Sequence, residues 1–171
     1  MACNYVSEVI SILLKYQLAK PANIIGCTKE EVNNLEKQLN VKFPIAYKQF
    51  LLEMGHCAGS FFRGTNIYVD NDFFDLQRSA KKILDRNGNN FSLPSNAFVF
   101  SMHQGYQFNY FHIDQNEDPP VYFYEEVPEC LEKRWDKFSQ FLLDSAKEEV
   151  KLIKFIRRME AEKKLVLEQK K

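Results

Sequence analysis

Apolar and polar positions follow two different rhythms along the chain. Val6, Val9, Ile10, Leu13 and Leu14 recur at intervals of 3, 1, 3 and 1, the stripe of an amphipathic helix. Lys20-Pro21 interrupts it. Thr28-Lys29-Glu30-Glu31 then reads as a capping box: the threonine hydroxyl accepts from the Glu31 N–H, and the glutamate reaches back to the threonine N–H. Val32, Leu35 and Leu39 share one face behind it, so a second helix is predicted over residues 28–40. A third is predicted in LNVKFPIAYKQFLLEMG, residues 39–55. Pro44 suits a first helical turn, where its missing N–H costs nothing. Tyr47, Phe50, Leu51 and Met54 line one face, and Gly55 is expected to close the helix in the left-handed conformation.

Past residue 58 the rhythm shortens. Residues 60–62 and 67–69 read as short strands around Gly64, and residues 75–86 as a helix with Leu76, Ala80, Ile83 and Leu84 on one side. Residues 97–102, 106–113 and 121–125 are predicted as an antiparallel meander, with a turn at His103-Gln104-Gly105 and a loop over 114–120. The helical period returns at Trp135 and marks Phe138, Phe141, Leu142, Ala146, Glu149, Ile153 and Ile156 as one face, continuing past Met159 into a charged stretch. The expected organisation is a domain over residues 1–145, N-terminal helices included, and a C-terminal helical extension over 146–171.

Composition narrows the function classes. The 171 residues carry 45% hydrophobic and 27% charged residues, with 15 Phe against one Trp, the profile of a globular chain with an aromatic core. Net charge is zero, from 23 basic and 23 acidic residues, which leaves no electrostatic footprint for nucleic acid. Locally the balance breaks: about +2 over residues 1–63, −7 over 64–132 and +5 over 133–171. Cys3, Cys27, Cys57 and Cys130 lie far apart with no CxxC pair, as reduced thiols do. No apolar run matches a membrane span and no basic-then-apolar leader opens the chain. A cytoplasmic protein is expected.

The order of elements and certain residues resemble the SUKH superfamily, the domain shared by yeast Smi/Knr-type cell-wall regulators and many bacterial immunity proteins. The residues that carry the resemblance are Phe43-Pro44, Tyr47, Phe50-Leu51 and Gly55 behind the capped helix, then Gln104-Gly105, Pro119-Pro120-Val121-Tyr122, and Phe138 with Phe141-Leu142. It spans roughly residues 25–145. Such domains often show a double glycine after the first marker helix, where this chain has Gly55-His56-Cys57-Ala58-Gly59. The resemblance implies an α+β fold: a twisted, mainly antiparallel sheet, helices mostly on one face, and a long C-terminal helix. It also implies a protein that works by binding another protein, in bacteria a cognate toxin and often a nuclease. No cofactor is implied.

Catalytic and metal chemistry finds little purchase in the sequence. His56-Cys57, His103 and His112 match no known ligand spacing. No nucleophile motif surrounds any cysteine, and Gly55, Gly59 and Gly64 fit neither the dinucleotide nor the P-loop pattern. The aromatics at 106–111 and 122–124 could stack bases, but residues 112–132 contain no Lys or Arg, so they read as the half-buried face of a sheet. No pair of carboxylates is placed against a shared cavity, so an enzyme is not expected.

An acidic run stands out. Asp114, Glu117, Asp118, Glu125, Glu126, Glu129 and Glu132 fall within 19 residues. One reading is a solvated rim; the other is a face that meets a basic partner, as an inhibitor of a nuclease requires. Under the second reading the partner-binding residues are Asp114, Glu117, Asp118, Glu125, Glu126 and Glu129, with Tyr122 and Tyr124 as exposed anchors. The expected function is neutralisation of a toxin by occluding its active site. The alternative is a regulatory or scaffolding module of the same fold. The basic C-terminal helix is either a wet face or a surface that packs on another chain, and the sequence leaves the oligomeric state open.

Overall fold

A computed structural model describes residues 5–86, 88, 91–113 and 116–168, with side chains through residue 164. Helix α1 (Tyr5–Lys15) buries Val6, Val9 and Leu13 completely. It ends on Gln17, which takes a positive φ of 60° so that the Leu18 N–H reaches the Leu13 carbonyl at 2.8 Å, the six-to-one closure of a helix terminus. A 3-10 turn, Pro21–Asn23, leads to β1 (Ile24–Ile25), which pairs antiparallel with β2 (Cys57–Ala58).

The capping box forms as the sequence predicts. Helix α2 (Lys29–Leu39) opens with the Glu31 N–H donating to Thr28 Oγ1 (3.1 Å) and the Thr28 N–H donating to Glu31 Oε2 (2.6 Å). Helix α3 (Ile45–Met54) follows, with Pro44 as its cap. Gly55 departs from the expectation. Its φ of −65° is right-handed, and the residue is needed for closeness instead: a Cβ there would stand 2.4 Å from the Leu51 carbonyl oxygen and 2.6 Å from Cys27 Sγ.

Residues 60–62 and 67–69 are not strands. The backbone turns through 59–64 with Phe62 (φ 57°) and Gly64 (φ 78°) left-handed, and the strand in this region is β3, Thr65–Asn66. A 3-10 turn, Phe73–Asp75, runs into α4 (Leu76–Arg86), whose Leu76, Ala80, Ile83 and Leu84 are buried as predicted. The meander is β4 (Ala97–His103), β5 (Gln107–His112) and β6 (Val121–Glu125). A further strand, β7 (Cys130–Trp135), lies within a segment with no strand signal in the sequence. Its Glu132, Lys133 and Arg134 are exposed because β7 is an outer strand with no neighbour on one side, and such strands carry charge to discourage further pairing. The sheet order is β3-β4-β5-β6-β7, antiparallel throughout.

One face of this sheet packs against α3 and the C-terminal helix. Tyr47 of α3 has no exposed surface, and its ring lies 5.1–6.0 Å from those of Phe43, Phe50, Phe98, Phe100, Phe111 and Phe138. Phe100, two residues on from Phe98, lies on this face too, stacked 5.2 Å from Phe111 at a register shift between Val99 and Ser101. Where β3 stops short of Val99, the Gln77 side chain replaces a strand: it accepts from the Val99 N–H (3.0 Å) and donates to the Val99 carbonyl (2.6 Å). Helix α5 (Phe138–Glu168) closes the core with Phe138, Phe141, Leu142 and Ala146, and runs unbroken across residues 145–146. The architecture is α+β, as expected, and no helix among the described residues is long and apolar enough to cross a membrane.

Candidate protein-binding face

The acidic run of the sequence does not form one cluster. Strand β6 divides it, and five residues at ~3.3 Å each put roughly 15 Å between the two groups.

At the first end the carboxylates serve the fold. Asp118 Oδ1 accepts from the Ser139 N–H at 2.9 Å and Oδ2 from the Ser139 hydroxyl at 2.6 Å. Asp118 therefore satisfies an orphan donor at the start of α5. The Glu117 side chain is exposed, while its carbonyl accepts from the Ala46 N–H (2.9 Å) in the first turn of α3. Nearby, the Tyr5 hydroxyl donates to the Ala46 carbonyl. Burial, and then the charge of Asp118, raise the pKa of that phenol. Asp114 lies outside the described residues.

At the other end two hairpin tips stand side by side. The β4–β5 turn is tight because Gln104 (φ 48°) and Gly105 (φ 75°) are both left-handed, the mirror-image turn whose twist matches that of paired strands. It brings Tyr106, 36% exposed, to the tip. The β6–β7 turn is tied to it by the Glu126 N–H, which donates to the Tyr106 carbonyl at 3.0 Å. Arg86, at the end of α4, holds both: Nε and Nη2 donate to Glu126 Oε1 and Oε2 at 3.1 and 3.0 Å, and Nη2 also reaches the Gly105 carbonyl at 3.4 Å. Val127, next to Glu126 in the same turn, is 80% exposed. Glu125 accepts from Gln107 Nε2 at 2.6 Å, and Glu129 accepts from the Tyr124 hydroxyl at 3.3 Å. The result is an exposed apolar side chain and an aromatic rim among three carboxylates, on a scaffold braced by three elements.

The two tyrosines named from the sequence are not exposed anchors. Tyr124 is fully buried, stacked 4.8 Å from Phe108. Alternation along β6 points Tyr122 to the same sheet face, where it is half-buried and stacks on Tyr110 at 5.0 Å. Val127, exposed at one tip, has no signal in the sequence because a lone valine before a proline has no periodic partner, while Tyr106, expected with its neighbours on a half-buried sheet face, is exposed at the other.

A second cluster was equally invisible in the sequence. Cys27 and Glu31, at the start of α2, and His56, just past α3, come from two segments, yet one ligand-type atom of each lies within 4.8 Å of the others. Glu31 Oε1 stands 3.2 Å from His56 Nε2.

Residues 26–144 match the SMI1/KNR4 family, also called SUKH-1. The chain belongs to the SMI1/KNR4 (SUKH-1) family. The match runs from just before the capping box into α5 and takes in both hairpin tips. The marker residues of this SUKH-1 domain are core residues here: Phe43, Tyr47, Phe50, Leu51, Phe138, Phe141 and Leu142 are all buried. A comparison with curated proteins finds no match.

Proposed function

We propose that this SUKH-1 protein is a bacterial immunity protein, which binds a cognate toxin and occludes its active site through the paired hairpin tips. Family membership supports a protein-binding role. The observation that carries the choice of surface is Val127, exposed among Glu125, Glu126 and Glu129 on a braced scaffold. A nuclease toxin is basic where it holds phosphate, and an apolar anchor beside Glu125 and Glu129, with Glu126 balanced by Arg86, suits such a cleft. Complementary charge also raises association rates above the neutral range of about 10⁵–10⁶ M⁻¹s⁻¹, which favours capture of a toxin before damage. Glu117 and Tyr122 lie away from the tips and extend the contact only in an interface of the usual size, about 1,600 Å² in total.

The test is co-expression with the product of the neighbouring gene. Rescue of growth and co-purification are expected from the wild-type protein, and both are expected to fail when Glu125, Glu126 and Glu129 are reversed to lysine. A neighbour that is not toxic and does not bind would favour a regulatory or scaffolding role for the same domain.

A further inference from the structure

The Cys27–Glu31–His56 cluster is independent of the hairpin tips and of any toxin. It is built where two chain crossings come very close. Cys27 donates its N–H to the Leu51 carbonyl (2.8 Å), and His56 donates its N–H to the Ile25 carbonyl (2.9 Å). Two glycines permit this: a Cβ on Gly26 would lie 1.8 Å from the Leu52 carbonyl oxygen, and one on Gly55 would lie 2.6 Å from Cys27 Sγ. The thiol is buried at 4% exposure, while Glu31 and His56 are half open to solvent at 47% and 32% of their side chains.

The imidazole is oriented as a ligand's would be. His56 Nδ1 lies 3.1 Å from the Val69 carbonyl oxygen, so that nitrogen carries a hydrogen. Metal-bound histidines almost always spend the second ring nitrogen in this way, which fixes the ring and directs the other lone pair. Here the other nitrogen, Nε2, points at Glu31 Oε1. In the neutral ring two acceptors then face each other at 3.2 Å, an arrangement that needs a proton or a cation between them. Tetrahedral ligands at ~2.0–2.3 Å from zinc stand roughly 3.3–3.8 Å apart. The His56–Glu31 edge, at 3.2 Å, lies just below that spacing, and the Cys27 sulfur, within 4.8 Å of both, lies above it by at most about 1.5 Å.

We propose that Cys27, Glu31 and His56 bind one thiophilic divalent cation, Zn²⁺ by the chemistry of its ligands, with the fourth position open to solvent. Thiolate with imidazole and carboxylate selects zinc over the hard cations magnesium and calcium. Binding forms the metal–sulfur bond and releases the thiol proton to water. The ion would staple the start of α2 to the end of α3 and to the small β1–β2 sheet.

The test is titration of the reduced, metal-stripped full chain with Co²⁺, followed by displacement with Zn²⁺. One equivalent of Co²⁺ is expected to give a thiolate-to-cobalt charge-transfer band that Zn²⁺ abolishes, and Zn²⁺ is expected to raise the Tm. Cys27→Ser should abolish the band. His56→Gln, a change at a partly exposed position, should weaken binding by more than the roughly 10–100-fold of an outer-shell change. Glu31→Gln preserves the capping box and should weaken binding too, while Cys57→Ser should leave it unaltered. No charge-transfer band in the wild-type chain would overturn the proposal. So would a band that survives Cys27→Ser or full affinity in folded His56→Gln; the cluster would then be an imidazolium–carboxylate pair beside a buried thiol.

Discussion

The corner between α2 and α3 and the paired hairpin tips both set a glutamate against basic side chains, with opposite consequences. At the corner, Glu36 is 4% exposed and accepts from the Phe43 N–H at 2.7 Å, Lys48 Nζ at 3.2 Å and Lys42 Nζ at 3.3 Å. Its carboxylate holds the Phe43-Pro44 approach to α3 in place. At the tips, Glu126 meets Arg86 with more of its surface in water, beside a valine that is 80% exposed. The same chemistry stabilises the fold where it is buried and presents a surface where it is not. Burial, rather than the count of carboxylates, separates the two roles.

The sharpest way to break this contrast is Glu36→Ala. Loss of charge-assisted hydrogen bonds to a buried group should cost about 1.5–3 kcal/mol, read as a lower urea midpoint. The sign with pH is also set. Burial alone would raise the Glu36 carboxyl, but the Phe43 N–H and then the two lysines outweigh it and hold it below the usual carboxylate range. Its stabilisation is therefore complete above the unfolded value of about 4.3 and is lost as pH falls through the lower folded value. Acid titration of stability should show a shallower loss in Glu36→Gln than in the wild-type protein. Next in size is Asp118→Ala, which removes the hydrogen bonds to Ser139 at the start of α5. A loss of about 1 kcal/mol is expected by thermal or urea unfolding, with binding to the neighbouring gene's product unchanged. Glu126→Gln should cost only about 0.2–1 kcal/mol, because its pair with Arg86 is near the surface. Val127→Ser should change stability by less than about 0.5 kcal/mol while weakening the complex, as isothermal titration would show.

Much of the fold was legible because local rules and tertiary packing agree. The α2 capping box forms as read, and the apolar face Tyr47-Phe50-Leu51-Met54 and the Phe138-Phe141-Leu142 stripe, each read as helix from spacing alone, are buried. Strand β7 was missed because Glu-Lys-Arg on an outer edge has neither the alternation nor the hydrophobicity of a half-buried strand. Residues 60–62 were misread because three apolar-rich positions resemble a strand, whereas Phe62 here adopts a left-handed turn and stacks on Phe141 at 5.8 Å. For the candidate site, the acidic run was visible but its division was not. Carboxylates close together in sequence separate once β6 runs between Asp118 and Glu126, and pairing with Ser139, Arg86 and Gln107 is tertiary information. The Cys27–Glu31–His56 cluster was hidden for the same reason, since 29 positions separate Cys27 from His56.

The most direct measurement is the association rate of the protein with the neighbouring gene's product, by stopped flow, as a function of salt. For the wild-type chain the rate should exceed the neutral range and fall steeply as salt rises. In the Glu125→Lys, Glu126→Lys, Glu129→Lys triple variant, with folding verified, it should collapse and lose its salt dependence of that sign. A wild-type rate indifferent to salt, or a triple variant that binds as fast as the wild type, would contradict the assignment of the hairpin tips as the binding face.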